Sequence, residues 1–206
     1  MITVWGRENS TNVKKVLWML DELSQVYEVI NAGGAYGKNK DPIYLSLNPN
    51  GLVPCLQEDD FVLWESNAIL RYLAERSGKE QFWPASAQQR ASADKWLDWA
   101  SNSLVTPYRQ VYQTLVRIPE PERDMALVAS GMETFEKYWA IADAVLAKQK
   151  WLSGEEFGIG DIPLGIYAYS WYSLDIKRQS HPNIERWYQQ LTQRPAFQKR
   201  VMIPLS

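Results

Sequence analysis

What limits this chain most is a change of hydrophobic period between residues 78 and 87. Before it, apolar spacing switches repeatedly between strand and helix; after it, the spacing is helical almost to the end. Ile2 to Trp5 is short, apolar and β-prone. From Asn12 onward, Val13, Val16, Leu17, Leu20 and Leu23 recur at helical intervals. Tyr27 to Ile30 is β-branched and aromatic again, and residues 31–41, rich in Gly, Asn and Lys, read as loop with a helical turn after Pro42. Val53 to Gln57 and Phe61 to Trp64, bridged by Glu58-Asp59-Asp60, form a predicted hairpin. Ser66 then opens a helix whose inner face carries Ile69, Leu70 and Leu73, with Gly78 just past its end.

Strands joined through a helix pair in parallel by a right-handed crossover, whereas a tight hairpin is antiparallel. The order therefore predicts a small mixed sheet with helices: a βαβαββα domain over residues 1–78, in thioredoxin-like order. A polar linker with a Trp83-Pro84 break occupies 79–86. Beyond it, Ala93, Trp96, Leu97, Ala100 and Leu104 share one face of a segment reaching Val116. Met132, Phe135, Trp139, Ala142 and Leu146 mark a second helix, a third starts near Ile159, and a fourth is closed by Arg194-Pro195. The expected fold class is thus α/β plus all-α, with an all-helical bundle over 87–206.

Composition removes several functions. The 206 residues suit one or two domains at roughly 100–200 residues each. With 22 Lys+Arg against 24 Asp+Glu, no bulk basic field attracts nucleic acid or an anionic membrane surface, and neither is expected as a partner. No uninterrupted apolar run reaches the ~18 residues of a membrane span. The N-terminus reads as a strand and not as a signal sequence, so a cytoplasmic location is expected. One Cys excludes an intrachain disulfide framework and suits a reducing compartment, and one Cys with one His argues against a zinc site, so no metal is expected. Ten Trp leave open whether they build a core or a binding surface.

Three constellations in the first domain can carry chemistry, and each has a plain structural alternative. Ser10-Thr11-Asn12 precedes a helix, where amides favour an anion and a hydroxyl can donate to a thiolate. The same residues serve equally as a helix cap. Asn48-Pro49-Asn50-Gly51-Leu52-Val53-Pro54 enters a strand: with a cis Val53–Pro54 bond, Val53 offers its backbone to an extended peptide, and otherwise Pro54 is an ordinary edge proline. Glu65-Ser66-Asn67 pairs an acidic residue with a helix start, matching an α-amino-acid head group or a simple cap. Together the three describe a slot for an extended γ-glutamyl peptide.

With these motifs the chain resembles the cytosolic glutathione S-transferases over essentially its whole length, in a bacterial theta- or nu-like, Ser-x-Asn form. Ser10-x-Asn12, Asn48-Pro49-x-Gly51-x-Val53-Pro54, Glu65-Ser66-x-Ala68-Ile69 with Tyr72-Leu73, Gly160-Asp161-Ile162, and His181-Pro182-Asn183-Ile184 with Trp187 and Arg194-Pro195 carry the resemblance. It implies a thioredoxin-like domain before a helical bundle, glutathione as cosubstrate, and a homodimer. It also implies that Ser10 and Asn12 act on the thiol and that Val53 and Pro54 meet the cysteinyl backbone. Glu65 and Ser66 would hold the γ-glutamyl group, with Asn39 and Lys40 near the glycine carboxylate.

The expected activity is attack of the glutathione thiolate on a hydrophobic electrophile. The alternatives are disulfide reduction by glutathione without a protein cysteine, and a non-catalytic interaction module. Tyr108, Tyr112 and Trp171 are candidates for the second-substrate pocket, or bundle core. Cys55 reads as a buried small hydrophobe. Leu52 stands where many classes carry Lys or Gln, and Gly158 where a capping Ser or Thr is usual, so a weaker cap is expected there.

Overall fold

The computed structural model describes residues 1–206, which divide into two compact units. The first comprises Met1–Trp83 and Ala196–Ile203, and the second Pro84–Pro195 and Pro204–Ser206. The break after Trp83 falls inside the expected linker. The return of residues 196–203 to the first unit corrects the expected boundary, which gave the whole of 87–206 to the bundle.

The first unit holds strands β1 (Ile2–Trp5), β2 (Tyr27–Ile30), β3 (Cys55–Glu58) and β4 (Phe61–Trp64) in the order β2-β1-β3-β4. β1 and β2 are parallel through helix α1 (Thr11–Glu22), while β3 is antiparallel to both β1 and β4. The hairpin turn tightens to Asp59-Asp60, with Asp59 in the left-handed region. Alternation places Ile2 and Val4 on the buried side of β1. α1 packs with α3 (Ser66–Ser77), whose Ile69, Leu70 and Leu73 are buried as the spacing predicted. A second cluster joins Ala32, Tyr44 of the short helix α2 (Pro42–Leu47) and Cys55, with Trp5, Val53 and Val62 packed against it.

Residues 196–203 join this unit for identifiable reasons. The Phe197 ring meets Trp18 edge-on, with centroids 4.8 Å apart. Arg200 donates to Asp21 at 2.7 Å and to Glu8 at 3.1 Å. Lys14 Nζ donates to the Val201 carbonyl at 3.2 Å. The short helix α9 (Pro195–Arg200) that carries these groups begins at the proline where the sequence pattern stops.

Lys14 is buried, and desolvation pulls its pKa from an ordinary 10.5 down to about 8. Between those values the unfolded chain binds the proton and the folded chain does not, so this group makes stability rise with pH there. Below pH 8 the protonated form is held in the folded state at a cost. Lys14→Met is expected to stabilise the protein at pH 7 by about 2 kcal/mol, the desolvation relieved less one lost hydrogen bond. By pH 10.5 the advantage should have vanished. Urea unfolding of both proteins at the two pH values checks this; a gain independent of pH would place its origin elsewhere.

The second unit is helical: α4 (Ala87–Trp99), α5 (Val105–Arg117), α6 (Met125–Leu146), α7 (Asp161–Ser173) and α8 (Pro182–Thr192). A π-helical segment at 100–104 joins α4 to α5, where the spacing predicted one unbroken helix. Asp161 is fully buried at the start of α7. Its Oδ1 accepts from Leu152 N and Trp187 Nε1, both at 2.8 Å, and its Oδ2 from Gly158 N at 3.0 Å and Ser153 N at 3.3 Å. The hydroxyl missing at Gly158 is replaced in part by Ser153, whose Oγ accepts from Gly160 N at 3.0 Å. Asp143 of α6 caps α8 in a similar way, accepting from Asn183 N at 2.8 Å and Ile184 N at 3.0 Å.

Trp18, Trp96, Trp139, Trp151, Trp171 and Trp187 are buried, so six of the ten tryptophans build core. No helix is long and apolar enough to cross a membrane.

Candidate functional site

The strand register places every candidate of the first domain at one end of the sheet. Trp5 closes β1 and is paired with both Ile30, which closes β2, and Cys55, which opens β3; Cys55 is paired in turn with Trp64, which closes β4. Four strand ends therefore stand in a row. The segment after β2 carries Asn39 and Lys40, and the segment after β1 carries Ser10 and Asn12. Val53 and Pro54 precede β3, and Glu65 and Ser66 follow β4. At 4.7–4.9 Å between strands, the row is roughly 14 Å across, a few ångströms more than the roughly 10–11 Å of three extended residues.

Ser10 holds the N-cap position of α1 in an extended conformation, yet its side chain makes no capping bond. Its backbone serves instead: Ser10 N donates to Arg7 O at 3.0 Å, and Ser10 O accepts from Lys14 N at 2.9 Å. The helix start is thus formed without using the hydroxyl. Ser10 and Asn12 are both half-buried. Gly6, just upstream, is required by packing, because a Cβ there would lie 2.5 Å from Val13 Cγ2.

The Val53–Pro54 peptide is cis. Val53 lies outside the ladder, which begins at Cys55, so its backbone groups are not strand-paired. The turn before it is fixed from behind. Asn39 Nδ2 donates to Gly51 O at 2.7 Å, Asn48 Nδ2 donates to Leu52 O at 2.8 Å, and the Tyr44 hydroxyl donates to the same Leu52 carbonyl. Gly51 has φ +62°, and a Cβ there would meet Lys40 Nζ at 2.7 Å and Asn39 O at 2.9 Å. Asn39 and Lys40 therefore sit against the turn that presents Val53, with Lys40 exposed.

Glu65 is exposed and adopts φ +73°, a conformation costing a non-glycine residue about 1–3 kcal/mol. Its side chain does not cap α3. Ser66 and Asn67, the first residues of α3, are buried, and both lie within hydrogen-bonding distance of Lys15 Nζ. Lys15 was missed in the sequence because it falls off the apolar stripe of α1, next to a second lysine.

The three candidates for a second substrate lie in the helical unit and are buried. Tyr108 stacks on Tyr112 at 5.1 Å and donates from its hydroxyl to Ser170 Oγ at 3.0 Å. The Tyr112 hydroxyl donates to Ser206 O at 3.1 Å. Trp171 is 2% exposed and stacks on Phe135 at 4.4 Å, which makes it a core residue. Cys55 is buried, and desolvation pushes its thiol up to about 11. No group of three or more His, Cys, Asp and Glu comes together in a way that could hold a metal ion.

A thioredoxin-like domain with a β2-β1-β3-β4 sheet, followed in the chain by a helical domain, defines a class, and comparison with known proteins gives the family. Residues 1–75 match the glutathione S-transferase N-terminal domain and residues 98–195 the corresponding C-terminal domain. The chain belongs to the glutathione S-transferase family and is a glutathione-dependent transferase. It is 50% identical to glutathione S-transferase GstB of Escherichia coli K12, with all of both chains covered. It is 32% identical to glutathione S-transferase 3 of Zea mays, covering 99% of this chain and 95% of that one. Among solved structures, the theta-class glutathione S-transferase of Xanthomonas axonopodis pv. citri with glutathione bound matches at a TM-score of 0.96 and 45% identity, over 100% of this chain and 99% of that one.

Proposed function

We propose that this transferase binds glutathione across the row of strand ends and activates its thiol through Ser10, with Asn12 assisting. The observation that carries the reading is the shared end of the sheet: Ser10 and Asn12 follow β1, Val53 and Pro54 precede β3, Glu65 and Ser66 follow β4, and Asn39 and Lys40 lie against the turn that presents Val53. An extended γ-Glu-Cys-Gly would place its glycine carboxylate beside Lys40, its thiol beside Ser10 and its cysteinyl backbone on Val53. The γ-glutamyl carboxylate would then lie at the start of α3, and its ammonium beside Glu65.

The thiolate attacks an electrophilic carbon: a C–S bond forms, the carbon–leaving-group bond breaks with its electron pair, and the thiol proton passes to solvent. Any reactive sulfur comes with the cosubstrate, since the one cysteine is buried with a raised pKa. A hydrophobic electrophile is the proposed class of second substrate, with Tyr108 and Tyr112 retained as side chains shaping its site. We also assign a homodimer. β4 is one of the sheet's two edge strands and leaves Phe61 and Trp64 exposed at 44% and 38%, an apolar edge that a second copy would cover. A cytoplasmic location, where glutathione is abundant and thiols stay reduced, fits a lone free cysteine.

The test is retention on immobilised glutathione, followed by parallel assays with an aryl halide and with a mixed disulfide. Retention with aryl-halide turnover is expected. Turnover of the disulfide alone would replace transfer by reduction, and neither retention nor turnover would leave a binding module.

A further inference from the structure

α3 begins with two buried polar side chains, Ser66 at 6% and Asn67 at 9% exposure, and both face the same partner. Lys15, in the second turn of α1 and 1% exposed, places Nζ 3.4 Å from Ser66 Oγ and 3.2 Å from Asn67 Oδ1. Both contacts run from the lysine nitrogen to an oxygen. At both contacts, therefore, the serine and asparagine oxygens must be the acceptors.

That fixes the polarity of the helix start. Ser66 has one hydroxyl hydrogen, and it cannot point at Lys15, so it is left to donate elsewhere. Asn67 has its carbonyl turned to Lys15, so its NH2 group is directed away. The first amides of α3 are donors as well.

We infer that Lys15 is a positioning residue that makes the start of α3 a donors-only site, selective for a carboxylate over a neutral carboxamide. The inference rests on the reading above that the γ-glutamyl α-carboxylate binds at Ser66. A carboxamide there would set its own NH2 against fixed donors, and an unmatched polar group at a built site is rejected strongly. Lys15 acts through Ser66 and Asn67 and is given no contact with the reacting sulfur.

The experiment measures, by calorimetry on the full-length protein, binding of glutathione and of the analogue whose glutamyl α-carboxylate is a carboxamide. The unsubstituted protein is expected to prefer glutathione by roughly 10–100-fold. Lys15→Met should weaken glutathione about 10-fold while changing the carboxamide by less than about 2-fold, so that discrimination collapses. Lys15→Gln, which keeps a hydrogen-bonding group without fixed polarity, should lose discrimination similarly and guards against a variant that fails to fold. In a Ser66→Ala background the Lys15→Met penalty should shrink to about 2–3-fold, because the group it orients is gone.

Equal losses for both ligands, or an undiminished penalty without Ser66, would reduce Lys15 to a structural role and overturn the assignment. If the unsubstituted protein binds glutathione and folded Lys15 variants bind it equally well, this assignment alone falls. If the unsubstituted protein does not bind glutathione, the parent reading falls with it.

Discussion

Replacing Asp161 with alanine is expected to lower the unfolding free energy by about 3–5 kcal/mol, as when one partner of a buried charged network is removed. The carboxylate is fully buried and ties together three stretches of the helical unit: the 152–153 loop, the turn at Gly158 and the indole of Trp187 in α8. Burial pushes its carboxyl above the usual carboxylate range, and the donors from Ser153, Gly158, Trp187 and Leu152 act against that. Alanine would leave these buried N–H groups without their acceptor, each at about 1–3 kcal/mol if nothing replaces it. Asp161→Asn keeps the shape but turns an NH2 group towards donors at one end, so it should recover less than half of the loss. Urea unfolding followed by circular dichroism gives the free energies. Amide exchange at Leu152 and Gly158 locates the damage, which should be concentrated there. A loss below 1 kcal/mol in Asp161→Ala would show that the loop and helix are held by other means.

Ser10→Ala should act on chemistry and leave the fold intact. Because the hydroxyl makes no capping bond to α1, its removal forfeits none of the ~1 kcal/mol that a capping serine contributes. Its expected use is to donate to bound thiolate. If that bond and the helix start lower an ordinary thiol pKa near 8.5 by ~2 units, they supply about 2.7 kcal/mol. The variant should then bind glutathione within about 3-fold of the parent, while the bound thiol titrates nearer its ordinary value. Below the parent's thiol pKa, turnover should fall by up to about 100-fold, with part of the loss recovered as pH rises. Thiolate absorbance across a pH titration reads the shift directly. Superimposable titrations would remove Ser10 from the reaction and turn attention to Asn12.

The fold was legible where hydrophobic period is a local property. Val13, Val16, Leu17 and Leu20 placed α1, and Ile69, Leu70 and Leu73 placed α3; a crossover and a hairpin then left few ways to arrange the strands. The site was half legible. The residue types and spacings of Ser10-x-Asn12 and Glu65-Ser66 could be read, but the state of their bonds could not. That the Ser10 hydroxyl does not cap its helix, and that Glu65 takes a positive φ, are consequences of the surrounding chain and leave no mark in the spacing.

Lys15 shows the limit most clearly. Two adjacent lysines off an apolar stripe read as a solvated face, and only partners far along the chain make both buried donors: Ser66 and Asn67 for Lys15, and the Val201 carbonyl for Lys14. Trp171 is the opposite case. Its residue type suits a pocket, but a helical bundle buries aromatic rings for packing alone, and this ring stacks on Phe135.

The membership of residues 196–203 in the first unit bears on how this protein is made. Asp21 and Arg200 are 179 positions apart, and Trp18 is covered by Phe197. A ribosome delivers the whole four-stranded sheet long before it delivers the segment that packs on α1. The early domain must therefore wait, with Trp18 uncovered and Asp21 unpaired with Arg200, while more than a hundred further residues are added. In this chain the N-terminal unit is the first to be begun, yet it is completed only when residues 196–203 arrive.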